Sequence, residues 1–126
     1  MNHSMDKSVR AARFAIADFQ KRIAVLESTR EDLERQMRKL NDSVPETKIS
    51  PNAVKEGYMA YGSYATSVIR RKENLQKTLD DINTQNHELS EELTMALEAL
   101  DSFERVRARQ MAAKAERAAE KALKRA

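Results

Sequence analysis

Cysteine is absent from this 126-residue chain, so it builds no disulfide of its own and offers no thiolate to a metal or a redox reaction. Tryptophan is absent too, and aromatics make up only 5%. Glycine and proline occur twice each, too few for the many turns of a sheet or a compact multi-element core. No run approaches the roughly 20 apolar residues of a membrane span. The opening MNHSMDKSVR lacks the apolar centre of a signal peptide, so a cytoplasmic location is expected. The only histidines, His3 and His87, are far apart in sequence, which makes no metal cluster. There is no glycine-rich phosphate loop and no nucleophile elbow. No catalytic residue, no metal site and no cofactor is therefore expected, and the chain does not read as an enzyme.

What is present is charge, 34% of residues, and a repeating apolar stripe. The first stripe is Val9, Ala12, Ile16, Phe19, Ile23, Leu26, Arg30, Leu33, Met37, Leu40. The second is Tyr58, Tyr61, Ala65, Val68, Lys72, Leu75, Leu79, Ile82, Asn86, Leu89, Leu93, Ala96, Leu100, Phe103. Both step alternately three and four without a slip, the spacing of a coiled-coil seam, in which an apolar residue every 3.5 positions is buried against a facing helix. Disorder, the competing reading of so charged a chain, does not predict heptads in phase. The expected fold is all-α: two long helices in an antiparallel coiled-coil hairpin, the second longer and overhanging, in a single domain.

Helix 1 is expected from about Asp6, whose carboxylate suits an N-cap, to about residue 41. Asp18 with Arg22, Glu31 with Arg35 and Glu34 with Arg38 are spaced to pair one turn apart. Asn41-Asp42-Ser43-Val44-Pro45 competes with helix and ends it, leaving a tip over about 42–50. Ser50-Pro51 reads as a new start, with serine as cap and proline at the first position, for a helix 2 over about 51–122. Gly57 and Gly62 near its beginning either loosen it or permit close helix approach. If the turn centres near residue 46, equal rise along the two helices brings residue 6 opposite about residue 86, and everything after about 88 overhangs. Leu89, Leu93, Leu97, Leu100 and Phe103 lie there, so a partner or a second copy is expected to cover them.

Charge is uneven. From Arg105 onward eight Lys or Arg stand against Glu116 and Glu120, a local +6 within a formal net charge of +3. That end should prefer an acidic partner or surface. Its position after the seam, and the lack of a base-reading pattern, argue against a specific nucleic-acid reader; non-specific phosphate binding stays open. Arg30, Lys72 and Asn86 interrupt the seam, either to fix register or to present a polar face. Tyr58 and Tyr61 are in phase with the seam, and Tyr64 is out of phase, a contact candidate beside the basic Arg70-Arg71-Lys72.

Val9-Arg10, Arg13-Phe14, Ile23-Ala24-Val25-Leu26-Glu27 and Asp32-Leu33-Glu34-Arg35-Gln36 resemble the first helix of the FliJ family, small soluble proteins of the flagellar type III export apparatus. Tyr61-Gly62-Ser63-Tyr64-Ala65 before Arg70-Arg71-Lys72-Glu73-Asn74-Leu75 resembles its alphaproteobacterial branch, and the resemblance covers about residues 8 to 110. It implies a non-enzymatic coiled-coil stalk, similar to the central stalk of rotary ATPases. Such a stalk binds the export ATPase, promotes its ring, and contacts the export-gate membrane protein and the substrate chaperones. It would be a monomer rather than a homodimer, peripheral at most to the cytoplasmic face of the inner membrane. On this reading Leu89, Leu93, Leu97, Leu100, Phe103, Arg105, Arg107 and Arg109 face the ATPase ring. Tyr58, Tyr61, Tyr64, Arg70 and Arg71 face the gate or chaperones. The alternatives are a generic dimeric coiled-coil scaffold, in which overhanging helices of two copies zip together, and a nucleic-acid-associated coiled coil using the basic tail.

Overall fold

The computed structural model describes the backbone of residues 3–43 and 55–126, with side-chain surroundings for residues 5–43 and 62–126. Two helices account for the described residues: α1, His3–Ser43, and α2, Lys55–Arg125. They form an antiparallel hairpin in which α2, of 71 residues, is much the longer. The expected start of helix 2 at Ser50-Pro51 lies outside the described residues.

Several polar side chains along these helices bond within their own helix. Each threonine among the described residues turns its hydroxyl back to the carbonyl four residues earlier: Thr29 to Val25, Thr66 to Gly62, Thr78 to Asn74, Thr84 to Asp80 and Thr94 to Ser90, all at 2.9–3.0 Å. α1 begins at His3, so Asp6 is not its cap; it sits in the first turn, where a carboxylate favours the helix dipole. The helix also runs on through Asn41 and Asp42 to Ser43, whose hydroxyl donates to the Leu40 carbonyl at 3.0 Å and occupies one of the carbonyls left open at a helix end. Lys124 and Arg125 place positive charge at the C-terminal end of α2.

The Asp18–Arg22 pair forms at 3.8 Å. The other two expected pairs are exchanged: Arg35 takes Asp32, and Glu34 takes Arg30 at 3.9 Å. A carboxylate three or four residues to the N-terminal side of an arginine, or to its C-terminal side, lies equally within reach, so spacing alone does not choose between them. All these groups but the half-buried Arg30 are largely exposed, and each pair contributes a few tenths of a kcal/mol.

Chain contacts gather into two compact units, one of residues 1–23 with 88–126 and the other of residues 24–87. In the first unit Val9, Ala12, Ile16 and Leu89 are buried; in the second, Val68, Leu79 and Ile82. Every other stripe position with described side-chain surroundings is half-buried, including the polar Arg30, Lys72 and Asn86. The seam positions are therefore those read from the sequence. Burying a Leu, Ile or Val side chain contributes about 1.5–3 kcal/mol, so this narrow row supplies most of the drive to pair.

The register differs from the expectation. In the first unit Arg13 meets Glu104 at 2.9 Å and Asp6 meets Arg107 at 3.4 Å, so residue 6 lies opposite 107 rather than opposite about 86. In the second unit the Tyr64 hydroxyl donates to the Ser43 carbonyl at 3.4 Å, and Gln36, Lys39 and Leu40 share a groove with Arg71, Asn74 and Leu75. In this unit the end of α1 meets α2 at Tyr64, which the register expected from a turn near residue 46 would not bring there. Equal rise from that groove brings Arg30 level with about residue 84, within a turn of Asn86, so two of the three polar interruptions fall in nearly the same layer. The Asn86 Oδ1 is buried and accepts no hydrogen bond from the described residues, a cost that fits a role in selecting alignment.

Gly62 is exposed within α2, has negative φ, and has nothing within 4 Å of where a Cβ would stand. It serves no close helix approach. Gly62→Ala should therefore raise stability by about 0.5–1 kcal/mol through helix propensity, measured by urea unfolding; a loss of stability would mean that this position needs glycine.

Candidate interaction surfaces

In the first unit the corrected register changes what the residues assigned to the ATPase ring can offer. Leu89 is only 7% exposed, and Leu93, Leu100 and Phe103 are half-buried in the seam. These four are not an uncovered overhang, because α1 runs alongside them. Leu97 is off the seam and 47% exposed. Arg105 points away and pairs with Asp101 at 3.0 Å, Arg107 is half-buried against Asp6, and Arg109 is exposed. The accessible set is Leu97, Arg105 and Arg109, joined by Met95, which the stripe did not single out. Phe14, on the opposite face of α1 from its seam, is 77% exposed.

In the second unit Tyr58 and Tyr61 have no described side-chain surroundings. Tyr64 is exposed along its ring, but its hydroxyl sits at the end of α1, so it has a structural bond as well as a free face. Arg70 and Arg71 are exposed and line a groove of about 460 Å³ with Ser63, Thr66, Ser67 and Asn74. Arg71 and Asn74 also line the groove between the helices, about 440 Å³, which Lys39 enters from α1. The structure thus gathers Lys39, Arg70 and Arg71 around two neighbouring grooves, one mostly apolar and the other lined by the hydroxyl and amide groups of Ser63, Thr66, Ser67 and Asn74. Lys39 had no distinguishing signal in sequence, and Asn74 entered only within the Arg70–Leu75 motif; the two come together only once the cross-helix register is known.

Chemically, these surfaces are suited to docking. Among the described residues no group of three or more His, Asp or Glu is placed to hold a metal ion. Among the same residues no helix is long and apolar enough to cross a membrane. No family model matches the chain, and no similar curated protein or solved structure is found.

The Arg13–Glu104 pair tests the register at side-chain level. Arg13→Glu and Glu104→Arg should each destabilise, and the double exchange should recover up to about 1 kcal/mol in a thermodynamic cycle. Purely additive effects would mean that the two side chains do not meet in solution.

Proposed function

We propose that this protein is a non-enzymatic export factor of the flagellar type III apparatus, a coiled-coil stalk that binds the export ATPase and promotes assembly of its ring. What supports the reading is the pairing of a 71-residue helix antiparallel to a shorter one along a continuous heptad stripe, together with the resemblance of residues 8 to 110 to the FliJ family. A two-helix coiled coil closes its apolar seam on itself, which leaves its outer faces to make specific contacts.

On this reading the ATPase contact belongs to the outward residues Met95, Leu97, Arg105 and Arg109. Leu89, Leu93, Leu100 and Phe103 hold the hairpin together, so their removal would damage the fold before it touched a partner. Arg70, Arg71 and the exposed face of Tyr64 form the surface for the export gate and the substrate chaperones. The protein works in the cytoplasm, peripheral at most to the inner membrane.

The alternative, a dimeric coiled-coil scaffold, is favoured by one observation: Phe14, Met95 and Leu97 are exposed apolar side chains within the first unit. Sedimentation separates the two, because the stalk is a monomer at micromolar concentration and the scaffold a stable dimer.

The direct test is ATP hydrolysis by the export ATPase of the same organism, with light scattering to follow ring assembly. Addition of this protein should raise both. Leu97→Asp with Arg109→Glu should abolish the effect while circular dichroism and melting stay near wild type. No stimulation by the wild-type chain, or full stimulation by the double variant, would contradict the stalk or its assigned face respectively.

A further inference from the structure

The seam does not stop where its apolar residues stop. After Phe103 the alternating steps of four and three continue in phase through Arg107, Gln110, Lys114, Arg117, Lys121 and Lys124. The face that packs against α1 thus passes without a slip into a row of cations. Ala113 is the last half-buried residue, and every residue from Lys114 onward is exposed although α2 remains helical to Arg125.

We infer that Lys114, Arg117, Lys121 and Lys124 form a docking stripe for an acidic helix of a partner protein, one that carries carboxylates at seam spacing and continues the line of α1 along α2. The first cation of the row already shows the pairing on a small scale. Arg107, at a seam position, takes the Asp6 carboxylate of the facing helix at 3.4 Å. With 100° per residue, the four cations and Arg125 share about 100° of arc, the width of one helix-packing face. Ala118 and Ala122 flank that arc on one side and let a partner backbone come close; Glu116 and Glu120 flank it on the other and mark its edge.

Other polyanions fit less well. A bilayer surface needs an apolar face, and beyond Ala113 only Leu123 is large and apolar, on the side away from the cations. A duplex would press its phosphates against Glu116 and Glu120 as well as the cations, and its affinity would follow total charge rather than register. A helical partner, by contrast, gains only from carboxylates placed at matching positions, each pair being modest alone and dependent on the whole row. This stripe lies outside the surfaces assigned to the export ATPase and gate, and the inference does not rest on that assignment.

The probe is a pair of Ala-rich helical peptides of about three heptads and identical composition. One has glutamates at seam positions, and the other has the same glutamates moved to the opposite face. Binding to the full chain is read by fluorescence anisotropy. The seam-position peptide should bind about tenfold more tightly than its isomer, and the preference should weaken as salt rises. Lys121→Leu with Leu123→Lys, which moves one cation off the arc at constant net charge, should erase most of that preference. These positions take no part in the described helix pairing, so melting should stay unchanged. Equal affinity for the two isomers, no binding of either, or tighter binding of duplex DNA or phosphatidylserine vesicles than of the seam-position peptide would each overturn the inference.

Discussion

A single row of apolar contacts holds this molecule together. With so few aromatics and no cysteine, the chain has no second source of cohesion: neither a broad core nor a covalent staple is available. Each helix commits roughly every third or fourth residue to the other and leaves the rest to water. The consequence is a strict division of labour. Seam residues such as Val9, Ile16, Leu79 and Ile82 provide stability, and outward residues such as Leu97, Arg70 and Lys121 remain for recognition. An outward residue can change at little cost to the fold, whereas a seam residue cannot.

The same economy makes register the decisive variable. A narrow seam with a regular repeat fits itself almost as well when shifted by a heptad, so selection must come from features that break the repeat. The structure supplies two kinds. Arg30 and Asn86 lie within about a turn of the same layer, which any large shift would separate. Arg13 with Glu104, and Asp6 with Arg107, join residues far apart in sequence and would be lost in another alignment. The buried Oδ1 of Asn86 lowers stability, and specificity is what such a group offers in return.

This division also sets what the amino-acid order reveals. The seam is a local, periodic property, and Leu26, Leu33, Val68 and Leu89 could be named as its members from spacing alone. Alignment of the two stripes depends on where α1 ends and on which residue of α2 meets it. Pro45 and Pro51 suggested a closure near residue 46, but Ser43 meets Tyr64 instead. From that one displacement follow the others: Leu93, Leu100 and Phe103 change from an uncovered stripe to hairpin packing, and Lys39 joins Arg71 at a groove that spacing could not foresee. The basic character of the last helical turns was legible as charge. That the cations keep the phase of the seam has a physical meaning only because α1 is known to lie on that face before Ala113.

The register is most directly measured by distances between nitroxide labels, which the cysteine-free chain accepts at single engineered sites. Labels at Arg13→Cys and Glu104→Cys should lie close together. Labels at Asp6→Cys and Glu88→Cys should be about 30 Å apart, because residue 88 precedes the partner of residue 6 by nearly twenty helical positions. The opposite pattern, a long distance for the first pair and a short one for the second, would put the closure near residue 46, leave the stripe after Leu89 uncovered, and contradict the division between seam and surface on which the account depends.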